Sequence, residues 1–201
     1  ENFSIPLPPL PVQQEIVRIL DSFTELTAEL TAELTAELTA RRRQYEHYRD
    51  ELLNSHFNNV VYRPLCECCN ILDNRRKPVT KASRKAGKYP YYGANGIQDY
   101  VSSYIFDGTY ILVGEDGSVI TSAGKPVVTW ARGQIWVNNH AHVVEEMEGV
   151  SLRYLYHYLQ TVNIKKLIHG NIPKLTGTDF RAISIPVIPK SAQLEVAETL
   201  D

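Results

Sequence analysis

The sequence lacks the features that mark membrane-spanning and secreted chains. Among its 201 residues no apolar run approaches the roughly eighteen residues that a membrane helix needs, and no secretory segment opens the chain. The formal net charge is −2, so no overall excess of positive charge points to nucleic acid. We therefore expect a soluble, cytoplasmic protein with no membrane partner, in which any basic binding surface is local.

Cysteine is scarce, and its placement is uninformative for chemistry. The three cysteines are Cys66, Cys68 and Cys69. An odd number packed this closely is not a disulfide framework, and a zinc site would need a second pair of ligands. We expect structural cysteines in a reducing compartment.

Sequence motifs of nucleotide and nuclease chemistry are also missing. The chain has no G-x-x-x-x-G-K-[ST] phosphate loop, no glycine-rich dinucleotide loop and no Asn-Pro-Pro-aromatic run typical of amino-methyltransferases. No acidic residue is followed two positions later by lysine, as in a common nuclease half-motif. Glu115-Asp116 could form a carboxylate pair, but its Gly-Glu-Asp-Gly setting favours a turn. We predict that the chain is not an enzyme and holds no cofactor or metal of its own.

Glycine and proline are absent between Val12 and Arg63. Pro11 suits a first helical position, so we predict a helix from about Pro11 to about His56. One such helix with a single apolar stripe is not stable alone and needs a second helix along it. The stripe has coiled-coil spacing and consists of Ile16, Leu20, Phe23, Leu26, Leu30, Leu34, Leu38, Tyr45, Tyr48 and Leu52.

Low-complexity sequence fills the middle of this helix. Thr-Ala-Glu-Leu occurs three times in tandem between Thr27 and Leu38. Each further copy would lengthen the helix by about 6 Å, which indicates an insert that sets its length. Arg41, Arg42 and Arg43 follow directly, either as a solvated face or as a contact with phosphates or a partner subunit.

The two ends of the chain repeat each other. Residues 4–21, the first copy, and residues 184–201, the second copy, are identical at eight of eighteen positions. Such a repeat indicates a modular chain. We predict a spacer region with the long helix over residues 1–58, a globular domain over 59–182, and the start of a second spacer over 183–201.

Aromatic and β-branched residues alternate through the globular region. They predict strands at 104–106, 110–113 and 118–120, with turns at Asp107-Gly108 and Asp116-Gly117. A hairpin is predicted from 127–130 and 134–137 around Ala131-Arg132-Gly133, and a helix over 151–162 with Ser151 as its cap. The predicted fold class is α+β, with a long coiled-coil spacer helix and a mixed, β-rich domain.

One stretch stands out by its charge. Seven cations fall within fourteen residues without a carboxylate among them, and tyrosines and an asparagine follow. Cations of this kind neutralise phosphates, and neighbouring amides and rings can reach bases; a merely solvated loop is the alternative. Asn138-Asn139-His140 could contact bases or simply close a strand. The candidate DNA-binding residues are Arg75, Arg76, Lys77, Lys81, Arg84, Lys85, Lys88, Tyr91, Tyr92, Asn95, Arg132, Asn138, Asn139 and His140.

Four motifs in this order resemble the specificity (S) subunits of type I restriction–modification enzymes. They are Ile5-Pro6-Leu7-Pro8-Pro9-Leu10 with Gln13-Gln14, the Thr-Ala-Glu-Leu array, the stretch from Tyr89 to Ile97 with its continuation through Gly108 and Gly117, and the stretch from Val137 to His142. The array is most similar to that of the type IC branch.

The resemblance implies a target-recognition domain that reads one half of a bipartite site in double-stranded DNA. It also implies spacers that dock methyltransferase subunits, which would carry S-adenosylmethionine. Restriction subunits, with ATP and Mg, would join through them. A helical scaffold whose globular domain binds protein instead of DNA is the alternative.

The apolar stripe also predicts an oligomeric state. Left bare, it would be a larger apolar patch than a soluble monomer usually tolerates. A homodimer with antiparallel helices would cover it. The predicted interface residues are Ile16, Phe23, Leu26, Leu30, Leu34, Leu38 and Leu52.

Overall fold

The computed structural model describes residues 6–55 and 60–201. The chain divides into two compact units, Glu1–Arg49 and Asp50–Asp201. The predicted helix end near His56, the predicted boundary between residues 58 and 59, and Ile5 of the first motif lie outside the described residues.

The first unit contains most of one long helix, α1 (Leu10–Ser55), which is 46 residues long. At 1.5 Å per residue it extends over about 69 Å, which confirms the predicted long helix. Threonines of the repeated array donate their hydroxyls to the carbonyl four residues earlier, at 2.7 to 2.9 Å. These hydroxyls are therefore satisfied within the helix.

The leucine row of α1 is exposed to solvent. Leu26, Leu30 and Leu34 are between 54% and 61% exposed, and Leu38 reaches 71%. Ile16 and Phe23 are exposed as well. Leu52 differs from these six residues, since it packs against the core of the second unit. The predicted stripe thus reduces to an exposed row that ends before Leu52.

The second unit combines ten strands and three helices in its described part with the C-terminal residues of α1. Its elements in chain order are β1 (Val61–Pro64), β2 (Asn70–Ile71), β3 (Ala86–Gly93), β4 (Gly96–Val101), β5 (Phe106–Gly114), β6 (Val128–Val137), β7 (Ala141–Glu145), α2 (Leu152–Leu159), β8 (Ile168–His169), β9 (Lys174–Leu175), α3 (Gly177–Arg181), β10 (Ser184–Val187) and α4 (Lys190–Leu200).

A six-stranded sheet of order β2-β7-β5-β6-β3-β4 organises this unit. Only β3 and β6 run parallel, and the other neighbours are antiparallel, which confirms the mixed, β-rich domain. Two-stranded sheets pair β1 with β10 and β8 with β9.

Side chains alternate between the two faces of the sheet, and each face carries a buried cluster at the central strand β5. In β5, Ile111 and Val113 join a cluster that includes residues of α2 and α4, whereas Tyr110 and Leu112 join a second cluster. Helix α2 contacts β5, β6 and α4. Ser151 caps α2 as predicted, since its side chain accepts a hydrogen bond from the Tyr154 backbone N–H.

Strands β5 and β6 form one continuous antiparallel ribbon, so the predicted turn at Asp107-Gly108 and the predicted hairpin at Ala131–Gly133 are both wrong. Gly108 lies directly opposite Gly133, with φ angles of 156° and 80°. Glycine at such positions lets a paired ribbon bend without reversing the chain. The glycines do mark unusual backbone conformations, but these lie inside a paired ribbon and not at chain reversals.

The sequence predicted a turn and then a strand after Val113, and only the turn region is found in the loop after β5. Asp116-Gly117 lies in the predicted irregular region, and Gly117 has φ 79°. The predicted strand at 118–120 is wrong, since only Ile120 forms an isolated bridge, with Pro126. The two hydrogen bonds that flank this bridge, from the Thr121 N–H to the Lys125 carbonyl and from the Val127 N–H to the Val119 carbonyl, close a tight loop, and the pairing does not extend beyond them.

The three cysteines differ in their exposure. Cys68 and Cys69 are buried in the core and Cys66 is exposed, all three as free thiols. Burial raises the pKa of the Cys69 thiol to about 12, so it stays protonated near neutral pH.

None of the helices in residues 6–55 and 60–201 combines the length and apolar character needed to cross a bilayer.

The positive φ of Gly133 can be tested by substitution. No atom would contact a β-carbon added there, so any loss of stability reflects backbone strain alone. We expect Gly133→Ala to lower the free energy of unfolding by about 1–2 kcal/mol. Gly133→Asn should lose less, because asparagine tolerates positive φ. Urea denaturation measures both, and wild-type stability in the alanine variant would contradict a positive φ at this position.

Candidate nucleic-acid interface

We call residues 75–88 the basic segment. The side chains of two of its own arginines hold it against the rest of the domain. One is Arg84, whose Nε donates to the Val79 carbonyl at 3.1 Å and whose Nη1 lies 3.2 Å from Asp99 Oδ2. Its guanidinium also lies 4.1 Å from the centre of the Tyr91 ring. These contacts make Arg84 a positioning residue.

Arg76 is the second arginine that holds the basic segment in place. Its Nη1 lies 2.5 Å from Glu115 Oε2 and donates to the Ala141 carbonyl at 2.8 Å. Its Nη2 lies 3.6 Å from Asp73 Oδ2. The side chain is only 12% exposed, so this guanidinium is committed to the interior and cannot also face a phosphate.

His142 completes the charged group, and we call Asp73, Arg76, Glu115 and His142 the anchor cluster. The His142 ring is fully buried and stacks on Phe180, with centroids 4.2 Å apart. Its Nδ1 lies 2.7 Å from Asp73 Oδ2 and its Nε2 donates to the Leu175 carbonyl at 3.1 Å.

Asp73 receives enough partners to remain ionised. Burial by itself raises the pKa of its carboxyl, but the hydrogen bond and electrostatic interaction with His142, the Val143 N–H at 3.0 Å and Arg76 lower it. The net shift is downward. The stability contributed by this carboxylate is therefore present above its unfolded pKa and is lost as pH falls through the lower, folded pKa.

The anchor cluster also contains ligand types that metals use. Asp73, Glu115 and His142 each offer one ligand atom, all within 4.8 Å of one another, and no other such group occurs among residues 6–55 and 60–201. Arg76 lies against both carboxylates and already supplies their counter-charge. A dication would have to displace it, so the arrangement fits an ion-pair cluster better than a metal centre.

The two adjacent carboxylates considered in the sequence are kept apart by different partners. Glu115 pairs with Arg76 and, at 3.5 Å, with Lys174. Asp116 contacts His140 Nδ1. Neither forms the close carboxylate pair that acid–base chemistry would use.

The remaining cations of the basic segment face solvent on a fixed backbone. Trp136 Nε1 donates to the Lys77 carbonyl at 2.7 Å, and the Lys77 N–H donates to the Val137 carbonyl at 3.1 Å. Nothing in the sequence singled out Trp136 for this contact. The exposed cations are Arg75, Lys77, Lys81, Lys85 and Lys88.

The predicted tyrosines lie beneath this surface. Tyr91 and Tyr92 are 1% and 8% exposed. The Tyr91 hydroxyl accepts from the Val79 N–H at 3.0 Å, which ties the basic segment to β3. Tyr89, outside the predicted set, is only half-buried; it packs on Tyr104 with centroids 5.1 Å apart and lies under the Lys88 ammonium.

Asn95 and His140 come together in one open groove. Asn95 is exposed in the two-residue turn between β3 and β4, where Gly96 has φ 86°. His140 follows β6. The polar groove is lined by Ala94, Asn95, Gln98, Asp116, Gly117, Ser118, His140 and Ile172. Gln98 and Ser118 carry no motif that would have identified them in the sequence.

Asn138 and Asn139 have different environments. Asn138 is buried; its Oδ1 accepts from the His140 N–H at 2.8 Å and its Nδ2 donates to Gln98 Oε1 at 3.3 Å. It therefore shapes the groove from beneath. Asn139 is exposed. Arg132 is exposed on β6 near Trp130, 5.5 Å from its ring centre, and does not line the groove.

The two neighbouring arginines of the basic segment form a matched pair. We expect Arg76→Ala to lower the free energy of unfolding by about 3 kcal/mol, because it leaves Glu115 and Asp73 without their buried counter-charge. Arg75→Ala removes the same charge from an exposed side chain that loses only a 3.4 Å hydrogen bond to the Ile105 carbonyl and a contact 4.9 Å from the Phe106 ring centre. It should therefore cost less, about 1 kcal/mol. Urea denaturation compares them, and equal losses would show that the anchor cluster does not hold the segment.

Comparisons with known proteins agree with this fold. The family model for the type I restriction modification DNA specificity domain matches residues 1–40 and 58–201. A Haemophilus influenzae protein named for a type I restriction enzyme specificity subunit is 43% identical over 145 residues, covering 72% of this chain and 37% of that protein. The Escherichia coli EcoprrI specificity subunit is 32% identical, covering 96% of this chain and 48% of its own length.

Solved structures show the same fold. The crystal structure of the type I restriction–modification S subunit from M. genitalium matches with a TM-score of 0.66 at 18% identity, over 94% of this chain and 52% of that one. The chain thus spans about half the length of these relatives, or less. The chain belongs to the type I restriction modification DNA specificity domain family.

Proposed function

We propose that this chain is the DNA-recognising part of a type I specificity subunit and reads one half of a bipartite duplex target. The observation that carries the proposal is the set of exposed cations in the basic segment, which leads directly into β3, together with the polar groove, in which Asn95 follows β3 and His140 follows the neighbouring β6. Cations supply sequence-independent affinity for phosphates, and amides read base edges.

The predicted DNA-binding residues fall into two groups, those exposed for contact with DNA and those that hold other residues in position. Lys77, Lys81, Lys85, Lys88 and Arg75 are exposed and suit phosphates. Asn95, Asn139 and His140 suit base edges, where a bidentate asparagine–adenine pair contributes about 1–3 kcal/mol of discrimination. The buried and partly buried members of the predicted set would act through position alone. These are the buried Tyr91, Tyr92 and Asn138, and the partly buried Arg76 and Arg84.

The proposed role is recognition without catalysis. The family and the curated relatives are named for specificity, not for an enzymatic step. We place methylation with S-adenosylmethionine in methyltransferase partner subunits, and ATP- and Mg-dependent cleavage in restriction subunits that join through them. The exposed leucine row supports protein contact by α1, whereas the basic segment favours DNA over protein for the globular domain.

Salt dependence tests the phosphate contacts. Lys81→Ala with Lys85→Ala should weaken binding to all duplexes and flatten the slope of log K against log salt by up to about 0.9 per lost contact. Arg84 is excluded from the variant because it holds the segment in place. Arg63→Ala with Arg181→Ala removes two exposed cations from β1 and α3 and should leave the slope unchanged. An unaltered slope in the lysine variant would contradict the proposal.

We also propose a homodimer for this chain, formed by antiparallel pairing of two α1 helices through the exposed leucine row. Burying Phe23, Leu26, Leu30, Leu34 and Leu38, all more than half exposed, supplies the apolar contact that an isolated long helix lacks. The second unit follows α1 in the sequence, so an antiparallel pair would carry two identical recognition domains at opposite ends. The DNA target would then be symmetric and interrupted.

The length of α1 should set the number of base pairs between the two DNA half-sites. Inserting one Thr-Ala-Glu-Leu unit lengthens α1 by about 6 Å, and a base pair rises about 3.4 Å. The preferred gap between half-sites should therefore widen by one or two base pairs. Sedimentation of the chain checks the dimer itself, and a stable monomer at micromolar concentration with α1 folded would contradict it.

A further inference from the structure

The polar groove contains one side chain that hydrogen bonding to bases does not explain. Most of its lining residues are polar, namely Asn95, Gln98, Asp116, Ser118 and His140. Among the described lining residues, Ile172 alone has a large apolar side chain. It is 71% exposed, which makes it the most exposed large hydrophobic residue in the described part of the second unit. A single exposed isoleucine is ordinary on a protein surface, but its place in a polar groove calls for a reason.

Ile172 lies on a turn with little conformational freedom. Strands β8 and β9 pair with each other, and residues 170–173 form the turn between them. Gly170 has φ 79°, and a β-carbon added there would lie 3.2 Å from the Ile172 carbonyl oxygen, so the turn is tightly closed. Pro173 fixes its own φ and restricts the residue before it mainly to extended conformations. The backbone of Ile172 therefore has few alternatives.

Backbone contacts join this turn to the loop after β5. The Gly117 N–H donates to the Pro173 carbonyl at 3.0 Å, and Asp116 forms an isolated bridge with Lys174. Both residues of the loop also line the polar groove. Ile172 is thus held at the groove before a ligand arrives, so little conformational freedom is lost when it makes a contact.

The edges of the DNA bases offer one apolar group to such a side chain. In the major groove all four bases present hydrogen-bond donors or acceptors, and thymine adds its C5 methyl group. Isoleucine forms no side-chain hydrogen bond, so contact with a polar base edge would leave that edge unpaired. Contact with the methyl group instead removes apolar surface from water on both sides.

We propose that Ile172 is a specificity-determining residue, which selects thymine in the target through contact with the C5 methyl group. The inference rests on the proposed function and adds to it the base that this part of the polar groove accepts. Asn95, which lines the same groove, suits adenine, the base that pairs with thymine. The amide and the apolar side chain therefore favour the same kind of base pair.

Replacement of thymine by uracil tests the contact, because the two bases differ only in this methyl group. The first probe is the duplex enriched from a random pool by the wild-type chain with methyltransferase subunits present. The others are the same duplex with one thymine at a time replaced by deoxyuridine. Equilibrium binding of wild type and Ile172→Ala to each probe completes a double-mutant cycle. Leu194→Ala is the control, since Leu194 is 52% exposed on α4 and does not line the groove.

We expect one of the uracil substitutions to weaken binding by the wild type about fourfold, the effect of one buried methyl group. In Ile172→Ala the same substitution should change binding by less than about twofold, since the contact is already lost. Ile172→Val stays β-branched before Pro173 and should keep part of the discrimination. Leu194→Ala should keep the wild-type ratio. All three variants should melt as the wild type does, because the substituted side chains are exposed.

Several results would overturn the proposal. An enriched motif without thymine is one, and unchanged binding of every probe by Ile172→Ala is another. Equal sensitivity of wild type and Ile172→Ala to uracil would assign the methyl contact to a different residue. Weaker binding of every probe by one common factor would indicate general contact, or insertion between bases. The absence of any enriched motif would contradict the proposed function itself, whereas the other results leave that function standing and remove only this role of Ile172.

Discussion

The start of the basic segment is held by one largely buried ion pair, between Arg76 and Glu115, whose side chains are 12% and 14% exposed. Glu115 follows β5, Arg76 lies 39 residues earlier, and Asp73 and His142 complete the charges around them. Removing these groups from water is costly unless each is paired and hydrogen-bonded, and here each has partners. The cluster joins the start of the basic segment to β5 and β7. Together with Trp136 and Tyr91, it gives the neighbouring cations a fixed backbone, so fewer degrees of freedom need to be lost when a ligand binds.

Features encoded by nearby residues could be predicted from the sequence. The absence of glycine and proline predicted α1, and Ser151 predicted the start of α2, because helix formation and capping depend on neighbours within one turn. The pairing of Gly108 with Gly133 within one ribbon could not be predicted, because it depends on which residues meet across two strands. The resemblance of the motifs led to the same family that the comparisons show.

The sequence predicted which residues belong to the candidate site, but not which of them are exposed and which hold the others in position. Arg75 and Arg76 are indistinguishable in the sequence, yet one is exposed and the other is bound to a carboxylate supplied by a distant loop. Asn138 and Asn139 differ in the same way, since only Asn138 turns inward to hold Gln98 and the His140 backbone. Partners separated by tens of residues decide such roles, and a single sequence does not reveal these pairings. Whether the exposed members contact DNA remains a prediction.

The central claim is that the polar groove reads bases. Selection of bound duplexes from a random pool, with methyltransferase subunits present, tests it most directly when the wild-type chain is compared with Asn95→Ala. The account predicts an enriched, interrupted motif for the wild type and the loss of preference at one base pair in each half-site for the variant, with the remaining positions kept. Identical motifs from the two proteins, or no enriched motif from the wild type, would contradict it.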